Sequence, residues 1–295
     1  MTFINKYKII KETVLPELNK IEEIMYSLVN IKEPLNTSVK DFLASPSKRM
    51  RPVLSLLYAK ASGIEINDDI LKALCAVEIV HNASLVHDDI IDESDQRRGQ
   101  KTISYNFGNK LGVISGDYLL SIAMEIVSEL NSLTLFKNFS HTLKRMCIGE
   151  INQNFNRFKI GSIEDYIEKS KDKTAYLFET AVLSPFILTN QDINTTQNAT
   201  DFGINFGIAF QIRDDLLNVI SIGDNSKPVN NDIKDGIYNA PVIYSQDADN
   251  YMNGVEKTKD LLYNYINKAK ICLNKLPASK NRDISEDFLE LLSDV

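Results

Sequence analysis

Apolar side chains recur with helical spacing along almost the whole chain, and this pattern limits the possible fold more than any other feature. Eight segments place apolar residues at i, i+3, i+4 and i+7, which predicts amphipathic helices. They are 7–30, 50–62, 68–93, 111–130, 132–158, 163–188, 199–221 and 254–274. No convincing β alternation occurs, and polar connectors occupy 189–198 and 223–232. The sequence therefore predicts a single all-α domain over 1–295.

Charge and cysteine content narrow the functional classes. The net charge is −7, so nucleic acid is not an expected partner. An anionic ligand would have to be bound by local clusters of cations or by metal. Cys75, Cys147 and Cys272 are far apart and odd in number, so we interpret them as core thiols, neither disulfides nor zinc ligands. The N-terminus lacks a signal-peptide core, and no apolar run reaches membrane-spanning length. We expect a cytoplasmic protein.

Two aspartate clusters lie inside apolar, helix-like segments. The first, at 88–92, reads Asp-Asp-Ile-Ile-Asp, and the second, at 214–218, reads Asp-Asp-Leu-Leu-Asn. The first and last residues of each cluster are four apart, which places them on one helix face. Stacked carboxylates repel each other, so a shared cluster of divalent cations between two facing helices is the simplest explanation. Oxygen ligands favour Mg²⁺, which takes its remaining ligands from water and substrate phosphates.

Basic residues flank the first cluster. Lys48 and Arg51 are three apart at a predicted helix start and project together, as two phosphate clamps would. His81 lies two turns before the first cluster and could equally be a core histidine. Arg97 and Arg98 are adjacent, so in a loop they can serve two different anions. Taken singly, the basic groups are as well explained by ordinary solvated surface charge.

Further polar residues accompany the second cluster. Gln211 lies one turn before Asp215, Lys227 follows in the connector, and Lys173 with Thr174 lies in a helical stretch between the two clusters. The sequence has no glycine-rich phosphate loop of the Walker type. Phosphate would therefore be bound by metal, Lys and Arg rather than by backbone amides.

Taken together, these motifs resemble those of the trans-polyprenyl diphosphate synthases, from about residue 48 to 241. The matching motifs are 48–52, 81–92, 97–99, 116–117, 173–174 and 210–215. The resemblance implies an all-α, isoprenoid-synthase-type helical bundle around a deep central cavity. It also implies that isopentenyl diphosphate is joined head-to-tail to an allylic diphosphate. The segment 88–99 looks most like that of long-chain, octaprenyl-type synthases that make quinone side chains.

The resemblance also implies roles for individual residues. About three Mg²⁺ ions would be held by Asp88, Asp92 and Asp214, with Asp215 and Gln211 in support. The allylic diphosphate would be bound by Arg97, Lys173, Thr174 and Lys227, and isopentenyl diphosphate by Lys48, Arg51, His81 and Arg98. The catalytic set would be Asp88, Asp92, Lys173 and Asp214. The released diphosphate would take the final proton, so no dedicated protein base is required.

The chain departs from the family pattern at a few positions. Asn218 stands where the second motif usually ends in Asp, and Ser47 stands where Gly is usual. In a segment that usually reads Gly-Lys-x-Thr, Ile237 replaces the lysine and Asn239 replaces the threonine. We therefore expect the loss of one contact to the allylic diphosphate.

Small residues precede the first cluster, at the predicted top of the product tunnel. Ala83 and Ser84 lie about one turn before it, where short-chain members carry an aromatic residue. We therefore expect a deep tunnel and a product longer than C20. Helical phase suggests Phe139 or Met124 as a floor, although each could equally be a core residue.

Three functions follow from the resemblance. The first is a homodimeric long-chain synthase that associates loosely with membranes to release its product. The second is a geranylgeranyl or farnesyl diphosphate synthase, and the third is a non-catalytic subunit of a heteromeric synthase. The third is disfavoured because the first cluster keeps all its aspartates. A terpene cyclase would not need the second anion site formed by Lys48, Arg51, His81 and Arg98.

Overall fold

The computed structural model describes residues 3–220 and 231–295, which are almost entirely helical, as the periodicity predicted. The helices are α1 Phe3–Glu12, α2 Leu15–Leu28, α3 Leu35–Ala44, α4 Met50–Ala61, α5 Asp68–Ile91, α6 Ile103–Phe107, α7 Asn109–Glu129, α8 Leu133–Phe155, α9 Ile163–Ser170, α10 Tyr176–Leu188, α11 Ile193–Ile220, α12 Asn231–Lys234, α13 Ala240–Ser245, α14 Val255–Asn274 and α15 Lys280–Glu290. A π-helical turn, Lys171–Ala175, joins α9 to α10. A two-stranded antiparallel hairpin pairs β1, Gln96–Arg97, with β2, Gln100–Lys101.

Helices α5, α10 and α11 carry the core. Helix α5 packs along α7 and also contacts α10, while α11 packs between α10 and α14. The buried apolar residues form one continuous cluster that extends from Tyr7 to Leu292. Helices α5 and α11 bury residues on all sides, as expected for helices at the centre of a bundle. Each aspartate cluster therefore lies near the C-terminal end of a central helix.

Several sequence-based boundaries were wrong. The predicted helix 7–30 is two helices, which separate at Thr13 and Val14 just before Pro16 in the first turn of α2. The connector 189–198 was too long, because α11 already begins at Ile193. Asp192 accepts hydrogen bonds from the backbone amides of residues 194 and 195 and so starts this helix. Much of the first turn of α11 is exposed, which hides its helical character in the sequence.

Two further expectations need correction. Helices α5 and α7 are long and apolar enough to cross a membrane by length and composition, so the expectation of no such run was wrong. Most of α5 is buried inside the protein, as it would be in the core helix of a soluble fold. The three cysteines are free, but only Cys75 and Cys272 are buried, and Cys147 is exposed.

Candidate active site

The first aspartate cluster lies at the C-terminal end of α5, where Asp92 is the C-cap residue. Burial raises the pKa of Asp88 to about 6; Lys173 opposes this shift, whereas Glu150 adds to it. Partial burial also raises the pKa of Asp92, again against the attraction of Lys173. A bound cation would relieve both the desolvation and the repulsion of these carboxylates. The first cluster therefore has the electrostatics of a cation site.

The third aspartate of the cluster, Asp89, anchors the β1–β2 hairpin. It is buried and accepts a hydrogen bond from Nε of Arg97 at 2.5 Å. Arg98 (φ 53°) and Gly99 (φ 79°) form the turn, and positive φ at both central residues is what a tight type I′ hairpin requires. Arg98 donates to the hydroxyl of Ser45 at 3.1 Å. The two adjacent arginines thus contact different parts of the protein.

The four residues that the resemblance assigned to isopentenyl diphosphate lie around one cavity. Its volume is about 360 Å³, and Lys48, Arg51, His81 and Arg98 all line it, with Phe178 among the apolar residues of its wall. These residues come from the start of α4, the middle of α5 and the β-hairpin. The fold therefore brings together cations that are up to 50 positions apart in sequence.

The electrostatics of this cavity suit an anion. Burial lowers the pKa of Arg51 to about 10, so its guanidinium stays charged at neutral pH. Its Cζ lies 4.6 Å from the ring centre of Phe178, and its buried Nε has no hydrogen-bond partner among the described residues. Burial, together with Arg51 and Arg98, holds the pKa of His81 well below its usual value. A buried guanidinium with an unused donor is costly without an anionic ligand.

Arg49, in the same basic segment, is occupied within the fold. It is buried, with a left-handed backbone (φ 53°) at the start of α4. Its guanidinium donates to Glu22 at 3.0 Å, to Glu78 at 3.3 Å and to the carbonyl of Leu43 at 2.7 Å. Arg49 therefore fixes the start of α4, next to Lys48 and Arg51.

Lys173 links α8 to the first cluster. It lies in the π-helical turn, a distortion that is frequent at functional sites. Its ammonium contacts Glu150 at 3.1 Å. Burial lowers the pKa of Lys173, but Glu150 and Asp88 outweigh this effect, so the pKa is raised overall. Gly149 permits the close approach of α8, because a Cβ there would lie 2.8 Å from a side-chain carbon of the turn.

A chain of hydrogen bonds links this turn to the second cluster. Thr174 donates to Gln211 at 2.6 Å, and Gln211 donates to Asp215 at 2.9 Å. Asp215 also accepts from the hydroxyl of Tyr166 at 2.6 Å. Burial raises the pKa of Asp215 to about 7. Asp214 is exposed whereas Asp215 is buried, and the division between a ligand at 214 and a supporting residue at 215 stays a prediction.

The residues that depart from the family pattern lie in the described part of the chain. Lys227, which the resemblance assigned to the allylic diphosphate, lies outside it. Asn218 is exposed at the end of α11. Ile237 is half-buried, and Asn239 is buried. The amide of Asn239 accepts from Lys169 at 2.9 Å and donates to Asp232 at 3.0 Å. Asn239 is therefore fully engaged with two charged groups.

The residues predicted to control chain length differ in their surroundings. Ala83 is fully buried in the core, whereas Ser84 is half-buried and its hydroxyl donates to a carbonyl in the preceding turn. Phe139 is buried on α8, and Met124 is partly buried against the core from α7. Ser84 is thus the less tightly enclosed of the two small residues, and the role of all four stays a prediction.

His87 contacts the Gly116–Asp117 pair, one of the motifs named in the sequence analysis. Its Nε2 lies 3.2 Å from the carbonyl oxygen of Val113 and 3.4 Å from a carboxylate oxygen of Asp117. A Cβ on Gly116 would lie 2.2 Å from the same nitrogen. Glycine at 116 therefore makes room for the imidazole that fixes α7 against the functional end of α5.

Sequence reasoning did not assign Glu150, Tyr166 or Lys169. Tyr166 and Glu150 contact their partners across more than 20 positions, and no local spacing signals those contacts. Lys169 had a usable signal, because it lies one helical turn before Lys173. The Asp89–Arg97 pair is only eight positions apart, but the intervening hairpin was not recognised.

The donor set fits a divalent cation that is completed by a ligand. Within 3–220 and 231–295, no three His, Cys, Asp or Glu residues converge into a ready-made metal cage. Mg²⁺ is commonly held by one or two carboxylates, water and substrate phosphates instead. Asp88 and Asp92 supply oxygen donors, and burial together with Glu150 raises the pKa of both.

Comparisons with known proteins agree with this geometry. The family described as polyprenyl synthetase matches residues 32–276. A prenyl transferase of Cyanidium caldarium is 32% identical over 92% of this chain and 93% of that protein. A decaprenyl-diphosphate synthase of Dictyostelium discoideum is 32% identical over 85% of this chain and 60% of its own length. The solved structure of a decaprenyl diphosphate synthase from Rhodobacter capsulatus has a TM-score of 0.89 at 23% identity and covers 98% of each chain, which shows the shared fold.

Proposed function

The chain belongs to the polyprenyl synthetase family, and we propose that it condenses isopentenyl diphosphate head-to-tail onto an allylic diphosphate to make a long-chain polyprenyl diphosphate. One observation carries the proposal: α5 and the β-hairpin contribute residues both to a cavity lined by Lys48, Arg51, His81 and Arg98 and to the separate carboxylate cluster at the end of α5. A cation-lined cavity and a separate cation site on the same elements account for two diphosphate substrates. A protein that ionises a single diphosphate would need only one such site.

Different residues would bind the two substrates. Arg51 and Arg98 would bind the diphosphate of isopentenyl diphosphate, while the half-buried imidazole of His81, whose pKa is held low, would donate one hydrogen bond. Arg97 and Lys173 would hold the allylic diphosphate through the ionisation of its C–O bond, since both interact with the first cluster. Fixed cations stabilise the negative charge that develops on the leaving group.

The proposed metal is Mg²⁺, with about three ions per active site. Bound by Asp88, Asp92 and Asp214, it would neutralise the departing diphosphate and join both aspartate clusters to the same substrate. Asp215 is held by Tyr166 and Gln211 and would orient this arrangement without itself being exposed to substrate.

A long product is supported by the small residues at the top of the proposed tunnel. Neither Ala83 nor Ser84 can block a chain that extends along α5. The relatives include proteins named decaprenyl and solanesyl diphosphate synthase. The competing proposal is a geranylgeranyl or farnesyl diphosphate synthase, for which a bulky residue such as Met124 or Phe139 would have to close the tunnel early.

We propose that the working unit is a homodimer. Val113 and Ile114 on α7 are 44% and 49% exposed, and Leu133 on α8 is 67% exposed. Exposed apolar side chains such as these favour burial against a second copy. We also propose that the protein associates loosely with membranes to release its insoluble product. Its proposed location is the cytoplasm.

Steady-state kinetics of Arg51→Gln test the assignment of the two sites. With Mg²⁺, farnesyl diphosphate and labelled isopentenyl diphosphate, the variant should raise the KM for isopentenyl diphosphate at least about tenfold, since a charged hydrogen bond is lost. The KM for farnesyl diphosphate should change little. A wild-type protein that forms a hydrocarbon without consuming isopentenyl diphosphate would contradict the proposal.

A further inference from the structure

Lys169 is a half-buried cation that has no role in the proposed function. It lies on α9, one turn before Lys173, and its ammonium donates to Asn239 at 2.9 Å. The ammonium also lies 5.4 Å from the ring centre of Tyr166. Among the described residues, Asn239 is its one hydrogen-bond partner. An ammonium has three donors, so Lys169 has capacity for a further ligand.

The surroundings of Lys169 face the second aspartate cluster. Burial lowers the pKa of Lys169, whereas Asp215 and Asp232 raise it, and Lys173 lowers it. Asp215 already accepts hydrogen bonds from a tyrosine and a glutamine, and Asp232 is reached only through the amide of Asn239. No carboxylate within 4.0 Å forms a direct ion pair with Lys169 in the described part of the chain. Lys169 is half-buried, and a partly enclosed charge without a direct counter-ion costs stability, so an anionic ligand would stabilise it.

Lys169 contacts the segment in which this chain departs from the Gly-Lys-x-Thr pattern of the family. Lys169 and Ile237 line the same cavity of about 450 Å³, together with Gln153 and Tyr166. Ile237 occupies the place where the family pattern has lysine, and Asn239 the place where it has threonine. The one hydrogen bond of Lys169 therefore goes to one altered residue, and the other altered residue shares its cavity.

We propose that Lys169 binds the diphosphate of the allylic substrate together with Lys173, and that it supplies from α9 the positive charge that Ile237 does not supply. Asn239 acts as a positioning residue, because its amide holds the ammonium on one side and Asp232 on the other. Lys173 approaches the first aspartate cluster and Lys169 the second. The two lysines would therefore bind opposite ends of the allylic diphosphate. The inference rests on the proposed function.

Four variants test this inference. Lys169→Met removes the charge and keeps most of the side-chain length, Ile237→Lys restores the lysine of the family pattern, and the double variant combines them. Lys159→Met is the control, because Lys159 lines the same cavity but is exposed. The measurements are the KM of each substrate and the calorimetric affinity for farnesyl diphosphate with Mg²⁺ in the absence of isopentenyl diphosphate.

Lys169→Met should weaken the binding of farnesyl diphosphate and raise the KM for this substrate about tenfold, because one charge-assisted hydrogen bond is lost. The KM for isopentenyl diphosphate and the control variant should stay near wild type. The double variant should recover most of the lost affinity, which a purely structural role would not allow. If Lys169→Met does not fold, Lys169→Gln replaces it in the same series.

Unchanged farnesyl diphosphate affinity in Lys169→Met, or no recovery in the double variant, would overturn the role of Lys169 alone, provided that the wild-type protein incorporates isopentenyl diphosphate. A wild-type protein that binds farnesyl diphosphate but incorporates no isopentenyl diphosphate would instead overturn the proposed function, and the inference with it. The two failures are therefore separable in one set of measurements.

Discussion

Asp88 shows how a single residue can favour function at the expense of stability. Its carboxylate is desolvated at the end of a core helix, near Glu150 and Asp92, and its pKa is raised to about 6. The same surroundings make it a good cation ligand and a poor free anion. Activity and stability should therefore respond in opposite directions when this charge is removed.

Asp88→Asn should lower the rate of isopentenyl diphosphate incorporation by at least about 10³-fold, since a ligand for the cation that stabilises the leaving group is lost. The rate is measured with labelled substrate at saturating Mg²⁺. Asp95→Asn is the matched control, because Asp95 is exposed in the following loop. Retention of more than about a tenth of the activity in Asp88→Asn would contradict the assigned role.

The same variant should be more stable than wild type without metal, and the difference should depend on pH. A carboxyl group whose pKa rises from 3.8 to about 6 on folding stabilises the protein fully below pH 3.8, and this contribution is lost as pH rises through 6. Asn does not titrate. In EDTA, the Tm of Asp88→Asn should therefore exceed that of wild type by roughly a few degrees at pH 8 and by less at pH 4.5. An equal difference at both pH values would show that Asp88 ionises normally.

At the scale of elements, the junction of α5 with α7 sets the direction of the first cluster. The imidazole of His87 fills the space above Gly116, where a Cβ would lie 2.2 Å from Nε2. The contact is tight because the neighbour is a ring packed between two helices. A methyl group at this point must displace the ring or separate the helices.

Gly116→Ala should therefore lower the free energy of unfolding by about 1–3 kcal/mol, the usual cost of overpacking a well-filled contact. Denaturant titration measures the change. Gly161→Ala is the control, since a Cβ there meets nothing closer than 3.7 Å. The double variant with His87→Ala should recover part of the loss, and a loss that is the same in both backgrounds would exclude the ring as its cause.

Helices could be predicted from the sequence where their buried residues recur with helical spacing and the capping residue lies next to the first turn. Helix α5 was placed within two residues because its apolar pattern is long and the side chain of Asn67 caps its first turn. The hairpin at 96–101 was missed because its strands are only two residues long and are stabilised by the Asp89–Arg97 contact. The aspartates and their flanking cations could be predicted from order and spacing. Lys169 was missed although it lies one helical turn before Lys173, because its hydrogen-bond partner Asn239 is 70 positions away in the sequence.

At the scale of the whole molecule, product length depends on the depth of the space beneath the first cluster. Ser84→Phe should shorten the product, because an aromatic ring one turn before Asp88 would obstruct the growing chain. Reversed-phase chromatography of the dephosphorylated products measures the shift. Ser84→Ala is the control and should leave the distribution unchanged. An unaltered product from Ser84→Phe, with normal turnover, would place the chain elsewhere in the fold.

The central claim concerns the length of the product made by the wild-type protein. The purified protein is incubated with Mg²⁺, farnesyl diphosphate and labelled isopentenyl diphosphate, and the dephosphorylated products are resolved by reversed-phase chromatography. We expect polyprenyl products of C30 or longer. Products that stop at C20 would contradict the long-chain assignment, and no incorporation at all would contradict the proposed enzyme activity.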